Sequence, residues 1–483
     1  MILSELLTDV DIVRVQGNID VKISGIAFNS REVKPGDVFV CITGFKSDGH
    51  DYADDALEKG AVAIIAEKEI EGMAATTVIV KNSRYALSRM AAAFFDYPFR
   101  KFKLIGVTGT NGKTTTTYLV KSVLENCGQK VGLIGTNQNM IGDSVIPSKH
   151  TTPDSLDLMK LFARMAEEEV DAVVMEVSSH SLALDRVTSC EFDIGAFTNV
   201  TQDHLDFHET MEKYIEAKSI LFGMCKKGVF NADDPAFEAI SKDCTCEVMT
   251  YTTHEEGDLT ASDIEYKATG VSFDLSYKGE TERINLSIPG GFSVYNALTA
   301  AGCCLAAGLS LSEISSGLKT AKGVKGRIEV VETNTDYTVI IDYAHTPDGL
   351  LNILNAIRGF AKGRIVTLFG CGGDRDKTKR PQMGKIAGKL SDFCIVTSDN
   401  PRSEEPGDII EDILVGMRET DCRYAVVENR FEAIEFALDN AKADDIILLA
   451  GKGHEPYQVL KDRTIVFDER EIVLKLIATD EKY

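Results

Sequence analysis

Short runs of apolar residues alternate with longer amphipathic segments over most of the chain. In the middle third the apolar runs are 103–107, 131–134, 172–177 and 194–198, and the helical segments between them are 113–126 and 155–169. Runs of this length that are separated by helices are typical of buried parallel strands. The pattern therefore predicts a doubly wound parallel sheet here. Thr152 and Pro153 look like the N-cap and the first residue of the second helix.

The same alternation recurs on both sides of this region. Strands are predicted at 36–42, 61–65, 77–80, 337–341, 364–369, 393–397, 424–428 and 446–449, with helices at 53–59, 295–307 and 349–359. Residues 259–288 alternate with a shorter period, which predicts antiparallel strands. We therefore expect an α/β protein of three domains: a small mixed α/β domain at 1–98, a central parallel-sheet domain at 99–325 and a C-terminal Rossmann-like domain at 326–483.

The charge balance narrows the classes of partner. Lys and Arg total 52 against 75 Asp and Glu, so the net charge is -23. Because a nucleic-acid backbone attracts basic surfaces, we expect no nucleic-acid partner. No apolar run reaches the roughly 18 residues that a membrane span needs, and the N-terminus has no signal-peptide pattern. We expect a cytoplasmic protein, and nothing in the sequence calls for more than a monomer.

The clearest local motif is a glycine-rich segment at 106–115, with the sequence GVTGTNGKTT. It follows an apolar strand and opens a helix, the context in which backbone N–H groups bind phosphate. Lys113 can reach the β- and γ-phosphates, and the Thr114 hydroxyl can bind Mg²⁺. The strict phosphate-loop pattern requires glycine where this chain has Val107. The context still predicts a P-loop-type ATPase domain, with a glycine-rich turn as the alternative.

Candidate metal ligands follow the later strands of the same sheet. Glu176 ends one strand, where a carboxylate faces the phosphate crevice, although a charged strand end is the simpler interpretation. The segment 203–208 contains two histidines and two carboxylates, for which a metal role and a structural role are about equally supported. Lys218 lies in an amphipathic helix, and its pattern alone predicts a surface lysine.

At this point the motifs resemble those of the Mur ligases. The matching segments are TGTNGKTT at 108–115, MEVSSH at 175–180, TNVTQDHL at 198–205, AKSILF at 217–222, YNA at 295–297, GRIE at 326–329, DYAHTPD at 342–348 and GKGHE at 451–455. They occur in the family's order and span nearly the whole chain. The resemblance is closest to the members that add the third peptide residue to a UDP-linked cell-wall precursor.

The resemblance implies an ATP-dependent amide-bond ligase that acts on UDP-N-acetylmuramoyl-L-alanyl-D-glutamate and uses Mg²⁺. It implies catalytic roles for Lys113, Glu176, His204 and Lys218, the last as a CO₂-derived carbamate that binds metal with Thr114, Glu176 and His204. The implied ATP contacts are Gly109, Thr110, Asn111, Gly112, Lys113, Thr114, Thr115, Asn296, Arg327 and Asp342. The implied contacts to the UDP precursor are Ser30, Thr151, Thr152, Ser178 and Arg186. The chain departs from some relatives at Phe45, Lys46 and Leu184, so the precursor contacts at those positions are not carried over.

The amino acid that is added is predicted from a turn after the strand at 393–397. The turn reads Asp399-Asn400-Pro401-Arg402, which alone could be an Asn-Pro turn with a surface arginine. In the family this form resembles the variety that selects meso-diaminopimelate, and Arg375, Gly451 and Glu455 match further contacts. An arginine can bind the additional carboxylate of diaminopimelate bidentately, whereas lysine has no such group.

Several alternatives remain at this stage. The chain could be the lysine-adding form of the same ligase or a ligase resembling folylpolyglutamate synthetase, although the latter would need no precursor-binding domain at 1–98. A P-loop switch or motor protein would hydrolyse nucleotide without depending on an amino acid. A catalytically dead binding protein is disfavoured because Lys113, Glu176, His204 and Lys218 are all present.

Overall fold

A computed structural model describes residues 1–45, 47–70, 72, 75–148, 150–254, 256–267 and 269–480. The chain forms two compact units, the first containing residues 1–251 and 299–309 and the second residues 252–298 and 310–483. The boundaries expected at residues 98 and 325 stay predictions. Among the described residues, no helix is both long and apolar enough to cross a membrane.

The first unit begins with a five-stranded sheet of order β1-β5-β4-β3-β2, in which only the β1–β5 pair is antiparallel. Its elements are α1 Leu3–Leu6, β1 Ile12–Gln16, β2 Gly25–Ala27, β3 Asp37–Val40, α2 Ala53–Glu58, β4 Ala63–Ala66, β5 Thr76–Val80 and α3 Ser83–Phe94. The apolar pattern predicted β3, α2, β4 and β5, whereas α1, β1, β2 and α3 were not predicted. The apolar core on one face of this sheet continues into the following sheet, and a separate apolar cluster that includes Phe39 and Ile64 covers the other face.

The second sheet of this unit is mainly parallel, with the order β13-β12-β11-β6-β10-β7-β8-β9. Its elements are β6 Lys103–Thr108, α4 Lys113–Asn126, β7 Val131–Ile134, β8 Asn139–Ile141, β9 Ser144–Ile146, α5 Ser155–Glu167, β10 Ala172–Glu176, α6 Ser179–Ala183, β11 Phe192–Phe197, α7 Leu205–His208, α8 Met211–Ser219, β12 Cys225–Asn231, α9 Phe237–Ser241 and β13 Glu247–Thr252. The predicted parallel sheet is confirmed. Because β6 pairs with both β10 and β11, the carboxyl ends of three strands meet at the glycine-rich loop.

The N-cap of one helix differs from its prediction. Helix α5 begins at Ser155 with Asp154 as its N-cap, so Thr152 is not the cap. The Thr152 side chain instead donates to the carbonyl of Glu176 at 2.8 Å. This contact is with the end of strand β10, so no local sequence pattern encodes it.

The second unit contains an antiparallel three-stranded segment, a six-stranded sheet of order β17-β18-β22-β19-β20-β21, a two-stranded sheet of β23 and β24, and the helices between them. Its elements are β14 Leu259–Lys267, β15 Gly270–Tyr277, β16 Glu280–Leu286, α10 Gly291–Ala306 (which continues into the first unit), α11 Leu311–Thr320, β17 Glu329–Val331, β18 Thr338–Asp342, α12 Pro347–Arg358, β19 Ile365–Phe369, α13 Lys379–Leu390, β20 Phe393–Val396, α14 Pro406–Met417, β21 Arg423–Val426, α15 Arg430–Asp439, β22 Ile446–Ala450, β23 Tyr457–Val459, β24 Thr464–Val466 and α16 Glu469–Asp480. Both the antiparallel segment and the second parallel sheet are confirmed.

The six-stranded sheet is parallel except for β17, and apolar clusters cover both of its faces. In the register of β18 and β22, Asp342 pairs with Ala450, so the segments that follow both strands leave the same edge. The segments that follow β19 and β20 leave that edge as well. Ligands bind at the carboxyl edge of such sheets, and the predicted amino-acid contacts come from these segments.

Candidate active site

The glycine-rich loop joins β6 to α4 in a conformation that requires glycine at two positions. Gly109 has φ +149° and Gly112, the N-cap of α4, has φ +86°. A Cβ atom on Gly109 would collide with the Thr198 hydroxyl and the backbone of Asn199. Thr198 and Asn199 also fix the loop at Asn111. The Thr198 hydroxyl donates to the Asn111 carbonyl at 2.6 Å, and the Asn199 side-chain oxygen accepts from the Asn111 N–H at 2.9 Å.

Lys113 is the first residue of α4, and its side chain folds over the loop. Its Nζ donates to the carbonyls of Gly109 and Thr110, both at 2.8 Å. The ammonium therefore lies on the loop that leads into α4, and the N–H groups of the first turn of α4 carry the positive end of the helix dipole. This arrangement suits an anionic group such as a triphosphate.

Glu176 and Thr114 meet beside the loop. The Thr114 hydroxyl donates to Glu176 Oε1 at 3.0 Å, and the backbone N–H and hydroxyl of Thr136 donate to its two oxygens at 2.9 and 3.0 Å. Glu176 is only 1% exposed, so these hydrogen bonds compensate for burial of the carboxylate. A carboxylate beside a hydroxyl is a hard-oxygen donor set that fits Mg²⁺.

Lys218 is buried, so the surface position predicted from its pattern is wrong. The side chain lies in α8 with 1% exposure, and Nζ is 4.3 Å from the centre of the Tyr214 ring. The Tyr214 hydroxyl lies 3.1 Å from Thr110 Oγ1, which connects this helix to the phosphate loop. Burial, reinforced by the charge of Lys113, lowers the pKa of Lys218 well below 10.5, and Asp203 opposes the shift.

The described contacts of His204 include neither Glu176 nor Thr114. His204 is the N-cap of α7 with φ +52°, and its half-exposed ring is 4.8 Å from that of His180 and 3.5 Å from the Asp203 carboxylate. Within the described ranges, no three His, Cys, Asp or Glu side chains are grouped to hold a metal. The structure therefore joins only two of the four predicted metal ligands directly.

An aromatic cluster that the sequence reasoning missed surrounds His204. The ring of His180 is 4.2 Å from that of Phe207, and His208 Nε2 is 2.9 Å from the Ser179 hydroxyl. Both histidines lie within or beside quoted motifs, so the motifs themselves were the available signal. Phe45, 79% exposed, meets the Phe207 ring edge-on at 5.9 Å, which places the loop at residue 45 beside this cluster. Lys46 lies outside the described residues.

Four of the five predicted precursor contacts are brought together near Glu176. Thr152 Oγ1 accepts from the N–H of Ser178 at 3.1 Å, and the Thr152 carbonyl accepts from the Arg186 guanidinium at 3.1 Å. The Thr151 hydroxyl lies 3.1 Å from the hydroxyl of Thr136, which in turn contacts Glu176. Ser30 is buried elsewhere, in a 3-10 helix, where its carbonyl accepts from Lys59. Its membership of this group stays a prediction.

In the second unit, the predicted ATP contacts Arg327 and Asp342 lie close in space. Burial raises the pKa of Asp342 against the opposing charge of Arg327, and the carboxylate accepts from the N–H groups of Ile328 and Ala344 at 2.8 Å each. The Arg327 guanidinium lies 5.3 Å from the Tyr343 ring centre, and its Nε has no hydrogen-bond partner among the described residues. Asn296 is buried in α10.

The turn at 399–402 is built against the segment that follows β22. The Asn400 amide donates to Glu455 Oε2 at 2.9 Å and accepts from Lys452 at 3.1 Å. Asp399 Oδ2 is buried without a hydrogen-bond partner in the described part of the chain, and a Cβ atom on Gly451 would lie 2.8 Å from it. The structure thus brings Asp399, Asn400, Gly451 and Glu455 together, as predicted, and adds Lys452.

The two arginines of this region differ in their surroundings. Arg402 has φ +53°, and its guanidinium donates to the carbonyl of Gly373 at 2.8 Å, which links the turn to the segment after β19. Arg375 lies on that segment, is exposed and donates to the carbonyl of Asp374 at 3.0 Å. The Arg402 guanidinium therefore joins the turn to this segment, and each of the two guanidinium groups keeps further donors for an anionic ligand.

Comparison with known proteins gives concordant results. Residues 22–95, 107–304 and 326–453 match, in order, the descriptions "Mur ligase family, catalytic domain", "Mur ligase middle domain" and "Mur ligase, glutamate ligase domain". The chain is 51% identical to UDP-N-acetylmuramoyl-L-alanyl-D-glutamate--2,6-diaminopimelate ligase of Caldanaerobacter subterraneus, covering 97% of both chains. It is also 51% identical to ligase 1 of that name from Clostridium acetobutylicum, covering 99% of both. A solved structure with the same enzyme name matches with a TM-score of 0.76 and 30% identity, covering 100% of this chain and 99% of the other.

Proposed function

Because this chain belongs to the Mur ligase family, we propose that it joins meso-diaminopimelate to UDP-N-acetylmuramoyl-L-alanyl-D-glutamate with hydrolysis of ATP. The observation that carries the choice of amino acid is the turn at 399–402, where Asn400 donates to the Glu455 carboxylate and Arg402 donates to the carbonyl of Gly373. A hydrogen-bond donor beside a carboxylate suits a carbon atom of the added amino acid that bears both a carboxylate and an ammonium. ATP and a nucleotide-linked sugar as substrates also support a cytoplasmic location.

The proposed reaction has two steps at the acceptor's carboxyl group. A carboxylate oxygen of the D-glutamyl residue attacks the γ-phosphorus of ATP, the bond to ADP breaks and an acyl phosphate forms. Lys113 and the N–H groups at the start of α4 offset charge on the transferred phosphoryl group. Thr114 and Glu176 would hold Mg²⁺, which neutralises phosphate charge when bound. The α-amine of diaminopimelate then attacks the acyl carbon, phosphate leaves, and the nitrogen loses a proton as the amide forms.

We expect phosphate release only when the UDP-linked dipeptide and the correct amino acid are both present. Purified protein with ATP, Mg²⁺ and the dipeptide should release phosphate with meso-diaminopimelate and form the tripeptide product, with lysine and ornithine at least about tenfold less effective. Mass spectrometry of the product and a phosphate assay measure both quantities. Preferential use of lysine would identify the lysine-adding form, and phosphate release without any amino acid would identify a simple nucleotidase.

Replacement of Arg402 by alanine tests the choice of amino acid. We expect kcat/KM for diaminopimelate to fall by about a hundredfold, because removing the charged partner of a bound ligand carboxylate costs roughly 2–5 kcal/mol. The KM for ATP should stay within about twofold. Arg418→Ala is the matched control, since this exposed arginine of the same unit forms a surface ion pair with Glu411. Unchanged kinetics of the Arg402 variant with diaminopimelate would remove Arg402 from the site.

A ligase resembling folylpolyglutamate synthetase is the more remote alternative. Such an enzyme would extend a folate glutamate tail and would not depend on a UDP-linked acceptor. The three family matches include residues 22–95, the region assigned here to the UDP precursor. Activity with a folate acceptor and none with the UDP-linked dipeptide would favour this alternative.

A further inference from the structure

Lys452 is a fully buried lysine that the proposed contacts leave without a role. Its side chain is 0% exposed, Nζ lies 3.1 Å from Asn400 Oδ1 and 3.4 Å from Glu455 Oε2, and the Tyr457 ring centre is 5.8 Å away. Burying an ammonium costs several kcal/mol unless charged and polar partners surround it. These neighbours are therefore part of a fixed arrangement, and two of them, Asn400 and Glu455, belong to the proposed amino-acid site.

Three neighbours fix the orientation of the Asn400 amide. Its Oδ1 accepts from Lys452 Nζ and from the backbone N–H of Val459 at 2.9 Å, whereas its Nδ2 donates to Glu455 Oε2 at 2.9 Å. An ammonium and a backbone N–H only donate, and an ionised carboxylate only accepts. If the amide were flipped, its Nδ2 would face the N–H donors of Lys452 and Val459, and its Oδ1 would face the Glu455 carboxylate. The observed orientation leaves the second Nδ2 hydrogen as the group that Asn400 can offer to a ligand.

We propose that Lys452 is a positioning and specificity-determining residue: it holds the Asn400 amide with its N–H toward the ligand, so that the site accepts a carboxylate at this point. The inference rests on the proposed function. The distal carbon of diaminopimelate bears a carboxylate and an ammonium, which suit Asn400 Nδ2 and Glu455 respectively. The distal carbon of lysine bears only the ammonium, so a donor at Asn400 gains nothing from it.

Steady-state kinetics of Lys452→Met test this role. Methionine fills a similar volume without a donor, so the amide loses one of the contacts that fix it. We expect the KM for diaminopimelate to rise about tenfold or more, the preference over lysine to fall by a similar factor, and the KM for ATP to stay unchanged. Lys461→Met is the matched control, because Lys461 is an exposed lysine paired with Glu405. In an Asn400→Ala background, Lys452→Met should add less than about twofold, because its effect passes through Asn400.

Lys452→Gln provides the conservative variant, since an amide nitrogen can still donate to Asn400 Oδ1. We expect it to retain the preference for diaminopimelate, with a KM within about threefold of wild type. A folded Lys452→Met enzyme with wild-type KM and selectivity would overturn the proposal. If Lys452→Met does not fold, Lys452→Gln decides, because folded Lys452→Gln enzyme without the preference would also overturn it. A wild-type enzyme that does not use diaminopimelate contradicts the proposed function instead, so the two failures are separable.

Discussion

Replacement of Lys113 by alanine will reduce kcat by about a thousandfold or more while the protein unfolds at nearly the wild-type temperature. The large kinetic effect is expected because phosphoryl transfer depends mainly on positioned charge, and Lys113 provides the cation at the phosphate loop. The small stability effect is expected because the lysine is only half-buried and its described hydrogen bonds go to the carbonyls of Gly109 and Thr110. Single-turnover phosphate release and thermal unfolding measure the two effects separately.

The control for this variant is Lys160→Ala, which removes an exposed lysine of the same unit that pairs with Asp157 across one helical turn. Such surface pairs contribute roughly 0–1 kcal/mol, so activity and unfolding temperature should both stay near wild type. An active Lys113→Ala enzyme would contradict the assignment of the loop to triphosphate binding. A strong decrease in unfolding temperature would show that the lysine acts on the fold.

Replacement of Lys218 by alanine will also abolish most activity, and a short carboxylic acid will restore part of it. The side chain is 1% exposed beside the phosphate loop, and burial lowers the pKa of Lys218 well below 10.5. A neutral amine is the form that attacks CO₂, giving a carbamate and releasing a proton. We expect kcat to fall about a thousandfold because the proposed carbamate, which would supply an anion for the metal, is lost, and acetate or propionate to recover about tenfold by occupying the space. Kinetics over a range of acid concentration measure the recovery.

Lys213→Ala is the control because Lys213 lies on the same helix, is exposed and pairs with Glu209. It should retain wild-type kinetics with and without the acid. Full activity of Lys218→Ala without any additive would exclude Lys218 from the mechanism, and a loss that no acid can recover would favour a purely structural lysine. Mass spectrometry of the native wild-type protein under CO₂ tests the carbamate directly.

Burial of Lys218 also predicts a pH-dependent cost in stability when the lysine is unmodified. The folded-state pKa lies below the unfolded value of about 10.5, so the unfolded chain binds the proton more readily. The cost is therefore greatest below the folded pKa and disappears as the pH rises toward 10.5. This sign follows because the folded state favours the neutral amine.

Local sequence determined much of the protein. The phosphate loop was recognisable because its backbone requires glycine at positive φ, as at Gly109 and Gly112, and because a strand and a helix flank it. Helix α4 lies at 113–126 as predicted, and Gly128 follows it with φ +82°. The short apolar runs between the helical segments predicted the parallel strands. These features depend on neighbours within a few residues, so they can be predicted from one segment at a time.

Tertiary structure decided the surroundings of the chemical groups. The pattern of α8 predicted an exposed Lys218, yet the lysine is buried near Lys113, which lies about a hundred residues earlier in the chain. Thr152 looked like a helix cap and instead bonds the strand end at Glu176. The surroundings of Lys452 also depend on a distant segment, because its hydrogen bond to Asn400 joins residues 52 positions apart in the chain. Burial and hydrogen-bond partners depend on which distant segments fold together, and the local period of a helix or strand carries no information about that.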